Sequence, residues 1–143
     1  MQQRNKYIEI ILRGIIVYKN QILLNYSLNN NPRFYYVPGG HLEIGEALTS
    51  SLDREMKEEI GCGVKNMKFL TLMENFFTDK YGYHHELNLI YKANLDIANP
   101  LSIKSQEKNL MFTWLDIDKL ANIKILPENI KQYLLKYFKL NKK

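Results

Sequence analysis

The chain has 143 residues, about the size of one domain with one hydrophobic core. Hydrophobic residues make up 45% of it and charged residues 24%, which is an ordinary composition for a globular protein. The single cysteine, Cys62, excludes an internal disulfide, so nothing in the sequence indicates an oxidising compartment.

Basic residues are concentrated at the end of the chain. The net charge is +5, and residues 131–143 contain five lysines and no acid. We favour a solvated helix face and tail as the explanation. The alternative is a patch that attracts polyanions such as nucleotides or RNA, so RNA is an open but disfavoured partner.

The first eighteen residues contain an apolar run that Glu9 and Arg13 interrupt. The run is too short to span a bilayer, and no small-residue cleavage site follows it. We therefore expect a strand of a cytoplasmic protein that has no membrane partner.

The first half of the chain predicts strands followed by a helix. Residues 7–18 and 21–28 are rich in strand-forming residues and flank a short turn, so they predict a β-hairpin. Residues 34–37, FYYV, predict a short strand that ends at the PGG turn of residues 38–40.

A helix is predicted from about Ala47 to Ile60, and Gly61 stands where a helix stop is expected. Apolar residues recur at every fourth position and form one stripe that faces a core. The stripe consists of Leu48, Leu52, Met56 and Ile60.

The second half predicts two long strands joined by a turn around Tyr81-Gly82, then a third strand, a short helix and a closing helix with a proline in its first turn. In chain order these elements are residues 67–79, 83–95, 110–117, 116–120 and 127–140. The order of strands and helices indicates a mixed sheet with helices packed on its faces, an α/β or α+β sandwich.

Three carboxylates are crowded on the predicted helix. At ~100° per residue, Glu58 and Glu59 lie about 60° and 40° to either side of Glu55. Like charges at this spacing repel by roughly 0.2–0.5 kcal/mol per pair. They form either a solvated face, with Lys57 as partial counter-charge, or a site for a divalent cation such as Mg²⁺, which prefers oxygen ligands and suits chemistry on phosphates.

The flanking residues have a specific spacing that decides between these alternatives. In order, it runs Gly40, five residues, Glu46, seven residues, Arg54, Glu55, Met56, one residue, Glu58, Glu59, one residue, Gly61 and Cys62. This resembles the Nudix box, G-x5-E-x7-R-E-U-x-E-E-x-G-U, where U is a bulky aliphatic residue. All seven fixed letters match, which has a chance probability on the order of one in 10⁷ at a given start. The one departure is the small residue Cys62.

The resemblance extends over most of the chain, from about Tyr7 to Leu140. Residues 36–40, YVPGG, resemble the family's aromatic-x-Pro-Gly-Gly lead-in, and residues 109–120 resemble its strand with a tryptophan before the closing elements. The resemblance implies a Nudix-type α/β/α sandwich with a mixed sheet, as a single domain over residues 1–143.

The resemblance implies a hydrolase that uses Mg²⁺ or Mn²⁺ to cleave the pyrophosphate bond of a nucleoside diphosphate linked to another group. The implied metal ligands are Glu55, Glu58, Glu59 and the carbonyl of Gly40. Arg54 and Glu46 become an ion pair that supports the loop against the helix. A non-catalytic nucleotide sensor is the alternative function, which the complete box disfavours. We expect a monomer or a homodimer.

The general base is implied by position. Some family members use a box glutamate and others use an acid on a distant loop. Glu107, seven residues before Trp114, lies about where the family often places such an acid, so we expect it to supply the base or an extra metal contact, with Glu74 and Glu86 as competitors. ADP-ribose-cleaving members often carry a proline about fifteen residues past the box, but this chain has no proline between residues 38 and 100. The Pro-rich motif of NADH-cleaving members is also missing, so the substrate stays open.

Candidate substrate contacts are Tyr36, His85 and Tyr81. Tyr81 lies nineteen residues beyond Cys62, close to the tyrosine of dinucleoside-polyphosphate members. Aromatic residues at such positions can stack on a base, worth ~1–3 kcal/mol. The HHE sequence at residues 84–86 does not predict a metal site, because neighbours on a strand point to opposite faces.

Overall fold

The computed structural model describes residues 7–140. Its strands are β1 (Glu9–Tyr18), β2 (Gln21–Ser27), β3 (Gly39–His41), β4 (Val64–Asp79), β5 (Gly82–Leu95) and β6 (Leu110–Asp116). Its α-helices are α1 (Leu48–Ile60) and α2 (Glu128–Tyr137), with 3₁₀ helices at Pro100–Ser102 and Ile117–Asn122. No helix in this described part of the chain is long and apolar enough to cross a membrane.

The strands form one mixed sheet in the order β4-β5-β1-β2-β6, and β3 pairs with β1. β1 and β5 are parallel, whereas the other pairs are antiparallel. The predicted hairpin is present, since Lys19 and Asn20 both have positive φ angles, of 48° and 61°, as the tight turns between twisted antiparallel strands require.

The core lies on both faces of the sheet. Leu12 and Ile16 of β1 pack with Leu52 and Met56 of α1 in one cluster of buried residues. Ile15, the neighbour of Ile16, belongs to a second cluster that includes residues of α2. Because successive side chains of a strand point to opposite faces, α1 and α2 cover opposite sides. The predicted α/β/α sandwich with a mixed sheet is confirmed.

Helix α1 follows the prediction except at its start. Leu52, Met56 and Ile60 are buried, but Leu48 is 40% exposed. Side chains of a helix tilt towards its N-terminus, so the first residue of α1 reaches past the packed part of the helix. Gly61 ends the helix with a φ of 80°, and its N–H donates to the carbonyl of Lys57, as a glycine C-cap does.

The prediction of a strand at residues 34–37 was wrong. Tyr35 and Tyr36 each make only an isolated bridge, and the short strand is formed instead by the two glycines and His41 of β3. A Cβ at Gly39 would collide with the backbone carbonyl of Leu12, so only glycine allows β3 to approach β1 this closely. β3 thereby pairs with residues 11–13 in the first half of β1, whereas β2 pairs with β1 only at Val17 and Tyr18.

The prediction of a proline in the first turn of the closing helix was also slightly wrong. Pro127 immediately precedes α2 in an extended conformation, and the helix begins at Glu128. The short helix predicted after β6 is a 3₁₀ helix.

Candidate active site

Strand β3 and helix α1 meet at Gly40 and Glu55. A Cβ at residue 40 would overlap the carboxyl group of Glu55, so glycine is needed for the main chain to lie against that carboxylate. The contact brings the glycine at the start of the motif next to a carboxylate fifteen positions later.

Glu59 is the most buried of the three motif carboxylates, at 9% exposure. Burial raises its pKa to about 8, and the nearby charges of Glu55, Glu107 and Glu58 add to the rise. Burial also raises the pKa of Glu55, against the opposing effect of Arg54. The Oε2 atom of Glu59 is buried and has no hydrogen-bond partner. This donor set fits a hard divalent cation, which would supply the missing positive charge and partner.

Arg54 connects the loop before α1 to the motif carboxylates. It binds Glu46 through two hydrogen bonds, Nε to Oε2 at 2.6 Å and Nη2 to Oε1 at 3.1 Å. These bonds lower the pKa of Glu46 to about 2. Nη1 lies 3.1 Å from Oε1 of Glu55 and 3.2 Å from Oε2 of Glu58, and Nη2 also donates to the carbonyl of His41.

Because Arg54 occupies one oxygen of Glu55 and one of Glu58, these carboxylates face a guanidinium in the conformation described. Between residues 7 and 140, no three His, Cys, Asp or Glu side chains form a ready-made metal cage. Binding an ion at all three glutamates therefore requires a side-chain rearrangement, which is easiest for Glu58 because its side chain is 56% exposed.

The loop before β6 is attached to the end of α1. The backbone N–H of Gln106 donates to the carbonyl of Glu59 at 2.7 Å, at the helix end where carbonyls lack partners within the helix. The next residue is Glu107, which is exposed and close enough to raise the pKa of Glu59. The two other base candidates are engaged elsewhere: Glu74 binds His85, and Glu86 accepts from Asn75.

A cavity of about 350 Å³ opens beside the start of α2, within the size range of small-molecule pockets. Its walls come from β1, the segment before β3, β4, β5 and the start of α2. The lining includes Arg13, Tyr36, Asn75, Phe77, Glu86 and residues 126–128. The cavity thus combines two aromatic rings with an arginine, an amide and carboxylates.

Comparison with known proteins agrees with the motif. Residues 12–137 match the profile of the NUDIX domain. The chain belongs to the Nudix family. This confirms the family that the spacing of residues 40–62 predicts.

Two curated Nudix relatives have different substrates in their names. The chain is 30% identical over 118 residues to the NAD-capped RNA hydrolase NudC of Chromobacterium violaceum, an alignment that covers 82% of this chain and 41% of that protein. It is 32% identical over 74 residues to the 8-oxo-dGTP diphosphatase of Buchnera aphidicola, which covers 50% of this chain and 56% of that protein. The chain therefore spans about half the length of these relatives.

Solved Nudix structures share the fold at low sequence identity. The MutT protein of Bacillus halodurans superimposes with a TM-score of 0.73 at 20% identity, over 95% of this chain and 85% of that one. The MutT NUDIX hydrolase of Burkholderia pseudomallei gives 0.73 at 18% identity, over 91% and 99%. These similarities show the α/β/α architecture.

The structure separates the three predicted substrate contacts of this Nudix domain. Tyr36 lines the cavity. The β4–β5 register places Phe77 opposite His84 and Phe76 opposite His85, so the two pairs lie on opposite faces of the sheet. His85 therefore faces away from the cavity, and Tyr81 lies in the exposed β4–β5 turn, 74% exposed.

Sequence reasoning missed three polar residues of the cavity wall, Arg13, Asn75 and Glu128. A signal was available for Arg13, because it interrupts a strand between the buried residues Leu12 and Ile15. A charged residue at such a position needs buried partners or a ligand. Asn75 had no comparable signal, since it stands beside exposed residues of an edge strand.

Proposed function

We propose that this Nudix domain hydrolyses a phosphoanhydride bond in a nucleotide derivative, with a divalent metal ion held by Glu55, Glu58, Glu59 and the carbonyl of Gly40. The observation that carries the proposal is the buried, unpartnered Oε2 of Glu59 beside Glu55, with the pKa of both groups raised by burial. A bound cation stabilises both anions and, on phosphates, neutralises charge and activates water.

The chain's own residues have distinct tasks in this proposal. Gly40 allows Glu55 to approach the main chain of β3, and the Glu46–Arg54 pair holds the preceding loop on α1. Glu107 accepts the proton of the attacking water, because its loop is attached to α1 beside Glu59. A thiol nucleophile is disfavoured, since burial raises the pKa of Cys62 and keeps it protonated.

The cavity beside α2 is the proposed place for the nucleoside part of the substrate. Its aromatic residues Tyr36 and Phe77 suit a base, and its volume suits a small molecule. The names of the two relatives support a nucleotide as the substrate class, but they specify different nucleotides. We therefore propose the class and leave the base and the leaving group open.

A panel of substrates tests the proposal. Nucleoside triphosphates, dinucleoside polyphosphates, ADP-ribose and NAD(H) are incubated with Mg²⁺, with Mn²⁺ or with EDTA, and the products are separated by ion-exchange chromatography. We expect cleavage of a phosphoanhydride bond in at least one substrate only when a metal is present. Tight nucleotide binding without cleavage of any substrate would favour the alternative, a non-catalytic nucleotide sensor.

A further inference from the structure

Arg13 lies in the middle of β1. The protein orients its guanidinium, but only two of its three nitrogens donate hydrogen bonds within residues 7–140. Its Nε donates to Oδ1 of Asn88 at 2.7 Å, and its Nη1 donates to the carbonyl of Val37 at 3.0 Å. Asn88 is fully buried in β5, so these contacts hold the group firmly. Nη2 makes no hydrogen bond to any of residues 7–140, and Arg13 lines the cavity.

This guanidinium has no carboxylate partner in contact with it. Burial lowers the pKa of Arg13, and the charges of Glu86 and Glu59 oppose that effect from a distance. Within the described chain, no nitrogen of Arg13 lies within 4.0 Å of a carboxylate oxygen. Glu86 instead accepts a hydrogen bond from Asn75 at 3.1 Å. A partly buried cation without a contacting anion is costly, and a ligand anion would reduce that cost.

The position of Arg13 relates the two halves of the site. It lies in the wall of the cavity with Glu86. It also pairs with Gly39 of β3, next to the Gly40 that lies against Glu55 of α1. A nucleotide with its nucleoside in the cavity and its anhydride at the α1 carboxylates therefore has to pass the guanidinium. The first charged group along that path is the phosphate attached to the nucleoside.

We propose that the free Nη2 edge of Arg13 binds an oxygen of the substrate phosphate that is attached to the nucleoside. The planar guanidinium fork matches the geometry of phosphate oxygens. Arg13 is thus a substrate-contacting residue that sets the distance between the nucleoside and the α1 carboxylates. This inference rests on the proposed function, because it assumes a nucleotide in the cavity.

Calorimetry without metal isolates the contact. The four ribonucleoside 5′-monophosphates and the matching nucleosides are titrated into the wild-type protein, Arg13→Gln and Arg13→Lys in the presence of EDTA. We expect the wild type to bind at least one monophosphate about tenfold more tightly than its nucleoside. Arg13→Gln should lose most of that difference while its nucleoside affinity changes less than about twofold, and Arg13→Lys should keep part of the difference.

Lys92→Gln is the matched control, because it removes an exposed cation from the neighbouring strand β5. It should leave both affinities unchanged. Thermal melts check that each variant is folded, and if Arg13→Gln is unfolded, the reduced phosphate preference of Arg13→Lys decides the test.

Two results would overturn the inference. One is a wild type that does not prefer any monophosphate over its nucleoside. The other is a variant at Arg13 that keeps the full preference or loses nucleoside and monophosphate affinity equally. The proposed function fails separately: cleavage of no substrate in the metal-dependent panel would refute it even if binding depended on Arg13.

Discussion

Helix α1 and the cavity beside α2 are assembled in opposite ways. The charged motif residues of α1 lie within residues 54–59, so about one turn and a half of helix determines their arrangement. The cavity wall takes residues from five separate segments, between Arg13 and Glu128, that only the sheet brings together. Chemistry that depends on one helix can be inferred from spacing, whereas a binding surface of this kind depends on strand register.

The two regions also differ in what a mutation should change. In the proposed function the α1 carboxylates hold the metal at the reacting phosphates, so their loss should lower kcat. The cavity is the proposed site of the nucleoside, which does not react, so loss of a cavity contact should mainly raise KM.

Replacement of Glu59 by glutamine should have the largest effect. It replaces the proposed metal-binding carboxylate by an amide of nearly the same size, and we expect kcat to fall about 10²–10³-fold with little change in KM. The comparison variant Asp118→Asn removes an exposed charge from the 3₁₀ helix after β6 and should retain full activity. Steady-state kinetics at saturating metal measure kcat for both variants. A kcat for Glu59→Gln within about threefold of wild type would correspond to a change in the activation barrier of less than ~0.7 kcal/mol and would contradict a catalytic role.

Replacement of Glu107 by glutamine should have the next largest effect. Loss of a general base typically costs 10²-fold or more, so we expect kcat to fall about 10²-fold. Glu74→Gln and Glu86→Gln are matched variants, because each removes one carboxylate of the competing candidates. If one of these loses activity while Glu107→Gln keeps a normal rate, the base belongs to that residue and the loop beside α1 has no catalytic role.

Two adjacent phenylalanines of β4 test the cavity side of the comparison. Phe77 lines the cavity, and Phe76 lies on the opposite face, stacked on His85 at 4.4 Å. Phe77→Ala should raise KM about tenfold while kcat changes little, because stacking of an aromatic ring on a base is worth ~1–3 kcal/mol. Phe76→Ala, the same truncation on the other face, should leave KM unchanged. Equal effects of the two variants would mean that the cavity does not hold the base.

Replacement of His84 should have the smallest effect, a change in how the stability of the protein depends on pH. Both ring nitrogens contact carboxylates, Nδ1 with Glu9 at 2.8 Å and Nε2 with Asp79 at 2.9 Å, so the ring is an imidazolium that donates twice. The hydrogen bonds to Glu9 and Asp79 raise the pKa of His84. Burial alone would raise the pKa of Glu9, but the hydrogen bonds with His84 and His41 outweigh it and lower that pKa.

The sign of the dependence follows from these directions. The contribution of His84 is complete below its unfolded pKa and is lost as pH rises through its folded pKa, while that of Glu9 is lost as pH falls through its own. Calorimetric Tm values of wild type and His84→Gln should therefore differ more at about pH 6 than at about pH 8.5. His85→Gln, which loses one carboxylate contact instead of two, is the control. A Tm difference that is the same at both pH values would contradict the imidazolium.

The predictions from sequence succeeded where contacts are local. The boundaries of α1, the hairpin turn at Lys19-Asn20 and the Gly61 helix end depend on residues within a few positions of one another, and all three are present. The ion pair between Arg54 and Glu46 spans a loop whose length the motif specifies, and it is also present.

The sequence predictions were wrong, or made no statement, where contacts between distant segments of the chain determine the structure. FYYV has strand-forming residues, yet the pairing position beside β1 goes to residues 39–41 because glycine fits closely against Leu12. Arg13 and Asn75 become neighbours of one cavity only after β1, β5 and β4 align, and no spacing along the chain encodes that alignment. Leu48 has the periodicity of a core residue, but it is the first residue of α1 and stays 40% exposed.

The contacts of Arg54 have a consequence for the order in which the protein is assembled. One guanidinium contacts Glu46, Glu55 and Glu58, so the negative charges of Glu55 and Glu58 are offset by a residue of the same helix. Newly synthesised chain can therefore form α1 before it meets any divalent ion, with the counter-charge already covalently attached. We therefore expect folding and metal loading to be separate events, so that scarcity of metal would limit activity without reducing the amount of folded protein.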